Sequence, residues 1–463
     1  MKVIQTIEKV YPHLPIFAQN WICSAYGRKE AAVRFGRVFK ERLRQLQDSD
    51  FWSASEIEAY QNEELQRIVA HAYKHVPYYH DLMRQRKLSP SDIRSREDLA
   101  KLPILSKEDV RENHSRLISD SAKRRELVAR HTSGTTGKSL HFYITREAIA
   151  FQWAVWWRHR TRFDILPGAS HFTFTGKLVV PPQQKHPPFW RWNRPMSQAL
   201  INMQQILPDK IPAIVDFLNE HDFEFYSGYP SIIGSFCALG NELGLRLDRP
   251  PKVLFSGAEN ILADQRREIE KFTGTFIADQ YGFSEACGNA AQCKEFVYHE
   301  DFEFGIIENI GLRDEESGEE TGRIVCTGFA NYAFPLIRYD NGDVATWAGK
   351  NTNCACGRRS RVIKQIDGRI DDYVVTPEGH RIMRFDYLFK DTSQIKECQI
   401  VQNKLGSIVI RVVKRPGYSL KDERFVREMV SEWISASLGV SFEYVDEIER
   451  EPNGKFKAVK SNL

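Results

Sequence analysis

The chain has 463 residues, with 65 Lys and Arg against 61 Asp and Glu and a formal net charge of +4. Hydrophobic residues make up 42% and charged residues 27%, which is typical of a globular protein and excludes disordered, collagen-like and disulfide-scaffold classes. The near balance of charges does not require a nucleic-acid partner. The length allows about three domains, or one large domain with a small one.

The N-terminal part contains a basic amphipathic segment. Residues 28–44 intersperse Arg and Lys with apolar side chains, which predicts a helix whose apolar face packs on the protein body. The alternative is peripheral contact of this helix with an anionic membrane surface. The sequence has no run of about 18 apolar residues and no signal-peptide core, so we expect a cytoplasmic protein, with the inner face of the membrane as the alternative location.

Helices and strands are predicted in alternation along most of the chain. Helices are expected over 54–70 and 106–117. Three β-rich runs, each followed by a helical stretch, predict an α/β fold with a largely parallel sheet: Phe172–Phe174, Phe223–Tyr226 and Val253–Ser256. From about 300 to 370, short strands with glycine-rich turns predict a β-rich part.

The pattern of the C-terminal part predicts a separate small α+β domain. It combines a strand at Ser407–Val413, a helix over 420–438 and a strand at Ser441–Asp446. The boundary before it is expected at Gly368–Asp372, a short polar segment without proline.

The sharpest local motif is His131-Thr-Ser-Gly-Thr-Thr-Gly-Lys-Ser139. Glycines and hydroxyls packed this closely let backbone N–H groups and side chains converge on phosphate oxygens, with a lysine supplying charge. A Walker loop would need glycine five residues before Gly137, where this chain has Thr132. The predicted phosphate ligands are Thr132, Ser133, Gly134, Thr135, Thr136, Gly137 and Lys138.

A cysteine and histidine set is the second local signal. Three thiolates and an imidazole make a complete tetrahedral Zn²⁺ set, which would be structural because no position is left open for water. The predicted ligands are Cys293, His299, Cys354 and Cys356. The alternative is unpaired thiols beside a surface histidine. The other five cysteines are predicted to be small buried hydrophobes: Cys23, Cys237, Cys287, Cys326 and Cys398.

The segment Thr132–Ser139 is similar to the phosphate loop of the adenylate-forming superfamily of acyl-CoA synthetases, adenylation domains and luciferases. Upstream, His75-Val-Pro-Tyr-Tyr79 and the stretch Leu99–Asp109 resemble the entry segment of the phenylacetate–CoA ligase family, including its capsular polysaccharide biosynthesis (CapK-like) branch. Four further motifs follow in the superfamily's order, so the resemblance covers about residues 60–463. It also supports the zinc set, since that family often carries a comparable one.

The resemblance implies nucleotide contacts in two consecutive motifs, Ser256-Gly-Ala-Glu259 and Gln280–Glu285. The first turn and Tyr281 would flank adenine, and Glu285 would help to hold Mg²⁺ on the phosphates, a hard cation that prefers oxygen ligands. Ser284 stands where family members usually have Thr, and the hydroxyl is retained. The implied contacts here are Gly257, Ala258, Glu259, Tyr281, Gly282, Ser284 and Glu285.

Two later motifs complete the implied nucleotide site. In Phe334–Asp343, Asp343 would accept hydrogen bonds from the ribose hydroxyls. We predict that Arg338 forms a structural ion pair within the protein; the alternative is that it contacts the ligand. In Asp367–Asp372, the resemblance makes Arg369 a nucleotide contact and Asp371 the hinge about which the C-terminal domain rotates. Arg381 is a weaker phosphate candidate.

The last motif, Glu451-Pro-Asn-Gly-Lys-Phe-Lys457, lies near the chain end. The resemblance makes Lys455 the catalytic lysine that touches the carboxylate and the α-phosphate. Lys457 and Lys460 are the competing candidates.

The acid-binding pocket is the least defined site. Its candidates are Tyr226, Tyr229 and Phe255, with the aromatic helix Phe151–Trp157 and the loop Pro181–Trp192. Aromatic stretches also form cores, so packing roles are the alternative.

The resemblance implies an α/β ligase with mixed sheets and a small mobile C-terminal domain. Residues 1–60 would be a helical extension, 61–368 the ATP- and carboxylate-binding domain with a β-rich, zinc-containing part at about 290–368, and 369–463 the lid. The implied activity is ATP-dependent activation of an aryl or small organic acid as acyl-AMP, with transfer to coenzyme A.

Two alternatives stay open at this point. The acyl group could pass to an amine or hydroxyl of a sugar or polysaccharide precursor. The chain could also be an inactive, zinc-stabilised interaction protein. Nucleic-acid binding is not expected, because Arg358, Arg359 and Arg361 follow Cys356 without an aromatic stacking platform.

Overall fold

The computed structural model describes residues 10–131, 140–313, 319–349, 352–369, 374–377, 381–382, 394–450 and 456–463, with the backbone alone at 312–313, 369, 381–382 and 432–433. The α-helices are α1 Ile16–Arg34, α2 Arg37–Asp48, α3 Ala54–His75, α4 Pro77–Gln85, α5 Lys107–Glu112, α6 Arg146–Thr161, α7 Ile211–Asn219, α8 Pro230–Glu242, α9 Ala263–Thr273 and α10 Leu420–Trp433.

The strands of the first half are β1 Leu127–His131, β2 His141–Thr145, β3 His171–Thr175, β4 Arg191–Asn193, β5 Gln198–Asn202, β6 Phe225–Gly228, β7 Val253–Gly257, β8 Ile277–Gly282, β9 Asn289–Gln292 and β10 Tyr298–Glu300. Those of the second half are β11 Gly305–Arg313, β12 Glu320–Gly328, β13 Tyr339–Trp347, β14 Val362–Arg369, β15 Val374–Val375, β16 Arg381–Ile382, β17 Ile395–Lys404, β18 Ser407–Lys414, β19 Gly439–Tyr444 and β20 Val459–Ser461.

A twelve-stranded mixed sheet organises the body, in the order β11-β12-β13-β14-β10-β9-β8-β7-β6-β3-β5-β4. The five strands β8, β7, β6, β3 and β5 are mutually parallel, as the alternating pattern predicts. The strands from β9 to β14 pair antiparallel and form the predicted β-rich part. The α/β fold class is therefore confirmed.

The basic N-terminal segment is two helices rather than one. Helix α1 ends at Arg34 and α2 begins at Arg37, so the predicted helix over 28–44 is broken at Phe35–Gly36. On α2, Phe39 and Leu43 are buried and pack into the main core, which confirms that the apolar face covers the body. No helix among the described residues is both long and apolar enough to cross a membrane.

Successive side chains of the parallel strands point to opposite faces and fill two separate cores. On β6, Phe225 packs with α6 in one core and Tyr226 packs with Phe172 and Phe174 in the other. The carboxyl ends of these strands open at one edge, where ligands bind in open α/β sheets.

A four-stranded sheet, in the order β19-β18-β17-β20, packs with α10 to form the predicted α+β unit. Helix α10 ends at Trp433, earlier than the predicted 438. This unit contacts the body through the ion pair of Arg415 with Glu268, at 2.8 Å, and through the Phe456 amide, which donates to Glu259 at 2.8 Å. The predicted boundary at 368–372 extends beyond the described residues.

Candidate active site

A cleft of about 1160 Å³ lies at the carboxyl ends of β3, β6, β7 and β8, with residues 395–398 and 456–459 of the C-terminal unit on its other side. Most of the described residues that the sequence assigns to nucleotide and acid binding line it: Gly257, Ala258, Glu259, Tyr281, Gly282, Ser284, Glu285, Asp343, Tyr229 and Phe255. The tertiary structure thus brings three separate nucleotide motifs, 256–259, 280–285 and 334–343, to one site.

Asp343 is held in a fixed orientation by its neighbours. The Tyr281 hydroxyl donates to its Oδ2 at 2.8 Å, and the Asn341 side-chain amide donates to the same oxygen at 2.7 Å. Burial and the adjacent Asp343 carboxylate raise the pKa of Tyr281, so the phenol stays protonated and keeps donating. This arrangement presents a preoriented carboxylate acceptor, the group that ribose hydroxyls need.

Glu285 is a buried carboxyl, with 4% of its surface exposed. The Tyr339 hydroxyl donates to its Oε1 at 2.7 Å. Burial raises its pKa, while this hydrogen bond and the positive charge of Lys107 lower it. A bound cation would stabilise its ionised form, so the site fits the implied Mg²⁺ role.

Lys107 is a cleft residue that was not assigned in the sequence. It lies at the start of α5, lines the cleft and donates to the Asn341 carbonyl. Lys107 belongs to the entry segment Leu99–Asp109, which resembles the phenylacetate–CoA ligase family. That segment has no phosphate-loop or metal-ligand pattern, so nothing in it singles out this lysine. Only the packing of α5 against β13 shows that this lysine faces the nucleotide motifs.

The turn after β7 is strained. Ala258 has φ of +69°, a left-handed conformation that costs free energy for a residue with a Cβ atom. The next residue, Glu259, accepts the Ser231 amide at 3.2 Å and the Phe456 amide at 2.8 Å, one on each carboxylate oxygen. Since both oxygens bind protein amides, Glu259 ties the C-terminal segment to the cleft.

Several assigned residues lie outside the described part of the chain. These are the phosphate loop Thr132–Lys138, the hinge Asp371, the lysine Lys455 and the side chains of Arg369 and Arg381. Of the competing lysines, Lys457 lines the cleft, whereas Lys460 is exposed on β20.

Arg338 is a structural residue, as the first interpretation has it. Its guanidinium pairs with the Glu308 carboxylate at 2.9 Å and donates to the Leu102 carbonyl at 2.5 Å. It does not line the cleft.

The acid-pocket prediction is partly wrong. Tyr229 and Phe255 line the cleft, but Tyr226 is 1% exposed and lies in the core on the opposite face of the sheet. The reason is the two-residue alternation of β6, which turns Ser227 toward the cleft instead.

The aromatic side chains of helix α6 are also shared between the cleft and the core. Trp153 and Trp156 line the cleft, while Phe151 and Trp157 fill the core. No residue of the loop 181–192 lines the cleft. Three polar residues also line the cleft, Arg160, Thr173 and Ser227, and the sequence contains no motif that would have predicted them.

The four predicted zinc ligands come together. Their ligating atoms all lie within 4.8 Å of one another, although they come from the β9–β10 hairpin and the segment before β14. The Cys293 and Cys354 sulfurs are 3.6 Å apart, close to the roughly 3.8 Å edge of a tetrahedron with Zn–S bonds of about 2.3 Å. Burial and the nearby Arg162 lower the pKa of His299 to about 4, so the ring is neutral, the form that binds metals. The donor set therefore fits Zn²⁺.

The remaining cysteines follow the prediction with one exception. Cys237, Cys287, Cys326 and Cys398 are buried, but Cys23 is only partly buried and lies 3.3 Å from the Tyr11 hydroxyl.

Comparisons with known proteins agree with this architecture. The family described as the CapK C-terminal domain matches residues 374–462. Protein CapK of Staphylococcus aureus is 24% identical, covering 98% of this chain and 99% of that protein. Phenylacetate-coenzyme A ligase of Thermus thermophilus is 27% identical, covering 69% of this chain and 72% of that protein, and the Escherichia coli enzyme of the same name is also 27% identical, covering 70% and 73%.

Solved structures give the same fold. A crystal structure of 2-hydroxyisobutyryl-CoA ligase in the postadenylation state, in complex with R3-HIB-AMP, has a TM-score of 0.70 at 20% identity and covers 89% of this chain and 91% of that chain. These similarities support the adenylate-forming superfamily, and within it the phenylacetate–CoA ligase family and its CapK-like branch, as the group that this chain resembles.

Proposed function

We propose that this protein is an AMP-forming ligase that activates a carboxylic acid, aryl or small and organic, and transfers the acyl group to coenzyme A. The observation that carries the proposal is the convergence of Tyr281, Glu285 and Asp343 in one cleft with hydrogen bonds that fix their orientation. Named relatives that are phenylacetate-coenzyme A ligases support the same reaction class.

The chemistry starts from the poor reactivity of a carboxylate toward nucleophiles, since its oxygen is a poor leaving group. Attack of the carboxylate on the α-phosphate of ATP releases pyrophosphate and forms acyl-AMP, from which AMP leaves readily. A thiol then attacks the acyl carbon, AMP departs with the bonding electrons, and a thioester forms.

Each assigned residue has a role in this proposal. The loop 132–138 would bind the triphosphate, Asp343 and Arg369 the nucleoside, and Lys455 the charge that develops at phosphorus. Glu285 would hold Mg²⁺, which neutralises phosphate charge when bound. Rotation about Asp371 would withdraw Lys455 and admit the thiol.

The same proposal assigns the domains. Residues 1–60 would form the helical extension, 61–368 the ATP- and acid-binding domain, and 369–463 the mobile lid. The zinc set would stabilise the β-rich part at about 290–368, where its ligands connect segments that are distant in sequence.

The test is carboxylate-dependent exchange of labelled pyrophosphate into ATP. We expect exchange with at least one acid of an aryl, fatty and amino acid panel, and a loss of about 100-fold or more in Lys455→Ala. Lys460→Ala is the matched control, because this lysine is close in sequence but exposed and outside the cleft. Tight ATP binding without exchange would contradict the proposal and favour an inactive interaction protein.

A second acceptor class is favoured by the full-length similarity to CapK and by the match of its C-terminal domain to the unit that faces the cleft. In this version the acyl group passes to an amine or hydroxyl of a sugar or polysaccharide precursor. AMP release measured with coenzyme A and with amino sugars, for the same acid, separates the two acceptors.

A further inference from the structure

The last turn of helix α6 carries two arginines, Arg158 and Arg160, and Arg162 follows its end. Arg158 and Arg162 share a set of carboxylate partners that Arg160 does not contact. Arg158 pairs with Asp301 and Glu303, and Arg162 pairs with Asp50, each with a contact of 2.5–2.6 Å. Because residues two apart on a helix differ by about 200°, Arg160 points away from this ion-pair network. Among the described residues, no carboxylate forms an ion pair with Arg160.

Arg160 is nevertheless half-buried among aromatic side chains. Its guanidinium lies over the rings of Phe255, Phe225 and Trp157, at 5.2, 5.7 and 5.5 Å, and donates one hydrogen bond, to the Trp156 carbonyl at 2.7 Å. Burial lowers its pKa to about 10, so the group is still positively charged at neutral pH.

The neighbouring imidazoles do not compensate this charge. Burial lowers the pKa of both His159 and His171, and Arg160 itself contributes to the shift, so both rings are neutral. A desolvated cation without an anion costs free energy, and such groups mark functional sites when they open into a cleft.

Arg160 does open into the cleft. It lies above Phe225 of β6 and Phe255 of β7, and the next residues on the same sheet face are Ser227 and Gly257, which also line the cleft. The Ser227 hydroxyl lies 3.0 Å from that of Thr173, so hydroxyls accompany the guanidinium.

The geometry of helix α6 gives the position of Arg160 relative to the nucleotide motifs. Trp156 donates its indole N–H to Asn289 at 3.1 Å, and its indole nitrogen would lie 3.8 Å from a Cβ atom placed on Gly282, the residue after Tyr281. Arg160 comes one helical turn later, about 6 Å further along the axis. It therefore lies about one helical turn away from the part of α6 that contacts the Tyr281–Gly282 motif.

We infer that Arg160 binds a second anionic group on the acid substrate, so that the preferred substrates are acids with a negative charge at the end remote from the reacting carboxylate, of which dicarboxylates are the simplest. This inference rests on the proposed acid activation. The hydroxyls of Thr173 and Ser227 would complete the binding of the second carboxylate.

The experiment compares acids of equal carbon number with one or two carboxylates, from propionate and malonate to hexanoate and adipate, in pyrophosphate exchange. We expect the best dicarboxylate to exceed its monocarboxylate by at least tenfold in kcat/KM, with one optimal length. Arg160→Leu should lower kcat/KM for that dicarboxylate at least 100-fold, mainly through KM, and should not lower it for the monocarboxylate. Arg160→Lys should retain part of the preference.

The matched control is Arg146→Leu, because Arg146 is an exposed arginine at the start of the same helix. Equal losses for both acid types in Arg160→Leu, or a wild-type preference for monocarboxylates, would overturn the inference. If Arg160→Leu does not fold, the inference is tested by two other measurements: the preference of the wild-type protein for dicarboxylates, and the size of that preference in Arg160→Lys.

Calorimetric titration of the same dicarboxylates without ATP separates this inference from the proposed function. Binding that Arg160→Leu abolishes, without any exchange, supports the anion site and contradicts acid activation. Exchange with monocarboxylates alone supports acid activation and overturns the anion site.

Discussion

At the scale of single residues, the cleft depends on carboxyl groups that the protein orients before any ligand arrives. Asp343 receives two hydrogen bonds on one oxygen, and Glu285 receives one from Tyr339. Fixing such groups in advance lowers the reorganisation needed when charge develops. Both carboxyls are therefore suited to direct tests.

Asp343→Asn should raise KM for ATP by about 10- to 100-fold, because hydrogen bonds to a charged acceptor contribute about 1.5–3 kcal/mol. Steady-state pyrophosphate exchange at varied ATP measures it. Asp81→Asn is the control, since this exposed carboxylate pairs with Arg116 at 2.7 Å outside the cleft. An unchanged KM in Asp343→Asn would refute the ribose assignment.

Glu285→Gln should stabilise the ligand-free protein at neutral pH while lowering exchange about 100-fold or more. Burial raises the folded-state pKa above the ordinary 4.5, so the native state binds more protons than the unfolded chain between the two values. Stability therefore falls as pH rises through this window, and Gln removes that loss. Thermal unfolding should show the gain at pH 7–8 and none below pH 4.

A thermal gain that is independent of pH would contradict this explanation. Glu58→Gln, an exposed carboxyl on α3, should change neither stability nor exchange.

At the scale of elements, the ion-pair network behind α6 connects the N-terminal helices to the zinc set. Asp50, which follows α2, pairs with Arg162 and with Arg358, and Arg358 is two residues from Cys356. Arg158 pairs with Asp301 and Glu303 in the same buried region. The network thus links four segments that are distant in sequence: Asp50, Arg158–Arg162, Asp301–Glu303 and Arg358.

Arg158→Met should destabilise the protein by about 3–5 kcal/mol, because it leaves the buried Glu303 carboxylate without its cation and leaves Asp301 with only Arg162, at 3.6 Å. Denaturant unfolding measures the loss. Arg249→Ala, which breaks an exposed pair with Asp222, should cost less than about 1 kcal/mol. Similar losses in the two variants would show that burial does not set the strength of the α6 network.

The zinc set predicts about one zinc ion per chain in purified protein, measured by elemental analysis. Cys354→Ser should lose the metal and lower the unfolding midpoint by about 10 °C, because binding energy at a structural site adds to folding stability. Cys23→Ser, far from the set in sequence and partly buried, is the control. Full zinc content in Cys354→Ser would contradict the assignment.

At the scale of the whole molecule, the described residues of the C-terminal unit touch the body through few polar contacts. The residues of the Arg415–Glu268 ion pair and of the Phe456–Glu259 hydrogen bond all line the cleft, and Phe456 directly follows Lys455 in sequence. This arrangement holds the segment that follows the predicted catalytic lysine against the cleft.

Glu268→Lys should therefore lower pyrophosphate exchange about fivefold or more, since two like charges would oppose this arrangement, and should affect coenzyme A-dependent AMP release from preformed acyl-AMP less. The charge-swapped variant Glu268→Lys/Arg415→Glu should recover exchange. Equal losses in both half-reactions, or no recovery by the swap, would argue against a role for this contact in the adenylation step.

The sequence alone predicts the parallel strands, from the alternation of strands and helices, and the metal-ligand candidates such as Cys354 and Cys356, from closely spaced thiols. Both are local patterns. Glu285 and Asp343 are predicted in another way, since their roles are what the resemblance of the ordered motifs implies.

Which side chains face the cleft depends on tertiary packing. Tyr226 and Phe225 are adjacent and similar in chemistry, yet the pleat of β6 directs them into different cores. Arg158 and Arg160 are two residues apart, yet the helical rotation of α6 pairs one with carboxylates and leaves the other in the cleft. The direction in which a side chain points is useful for prediction only when the neighbours of its strand or helix are known. Those neighbours are distant in sequence, so a short stretch of sequence does not reveal them.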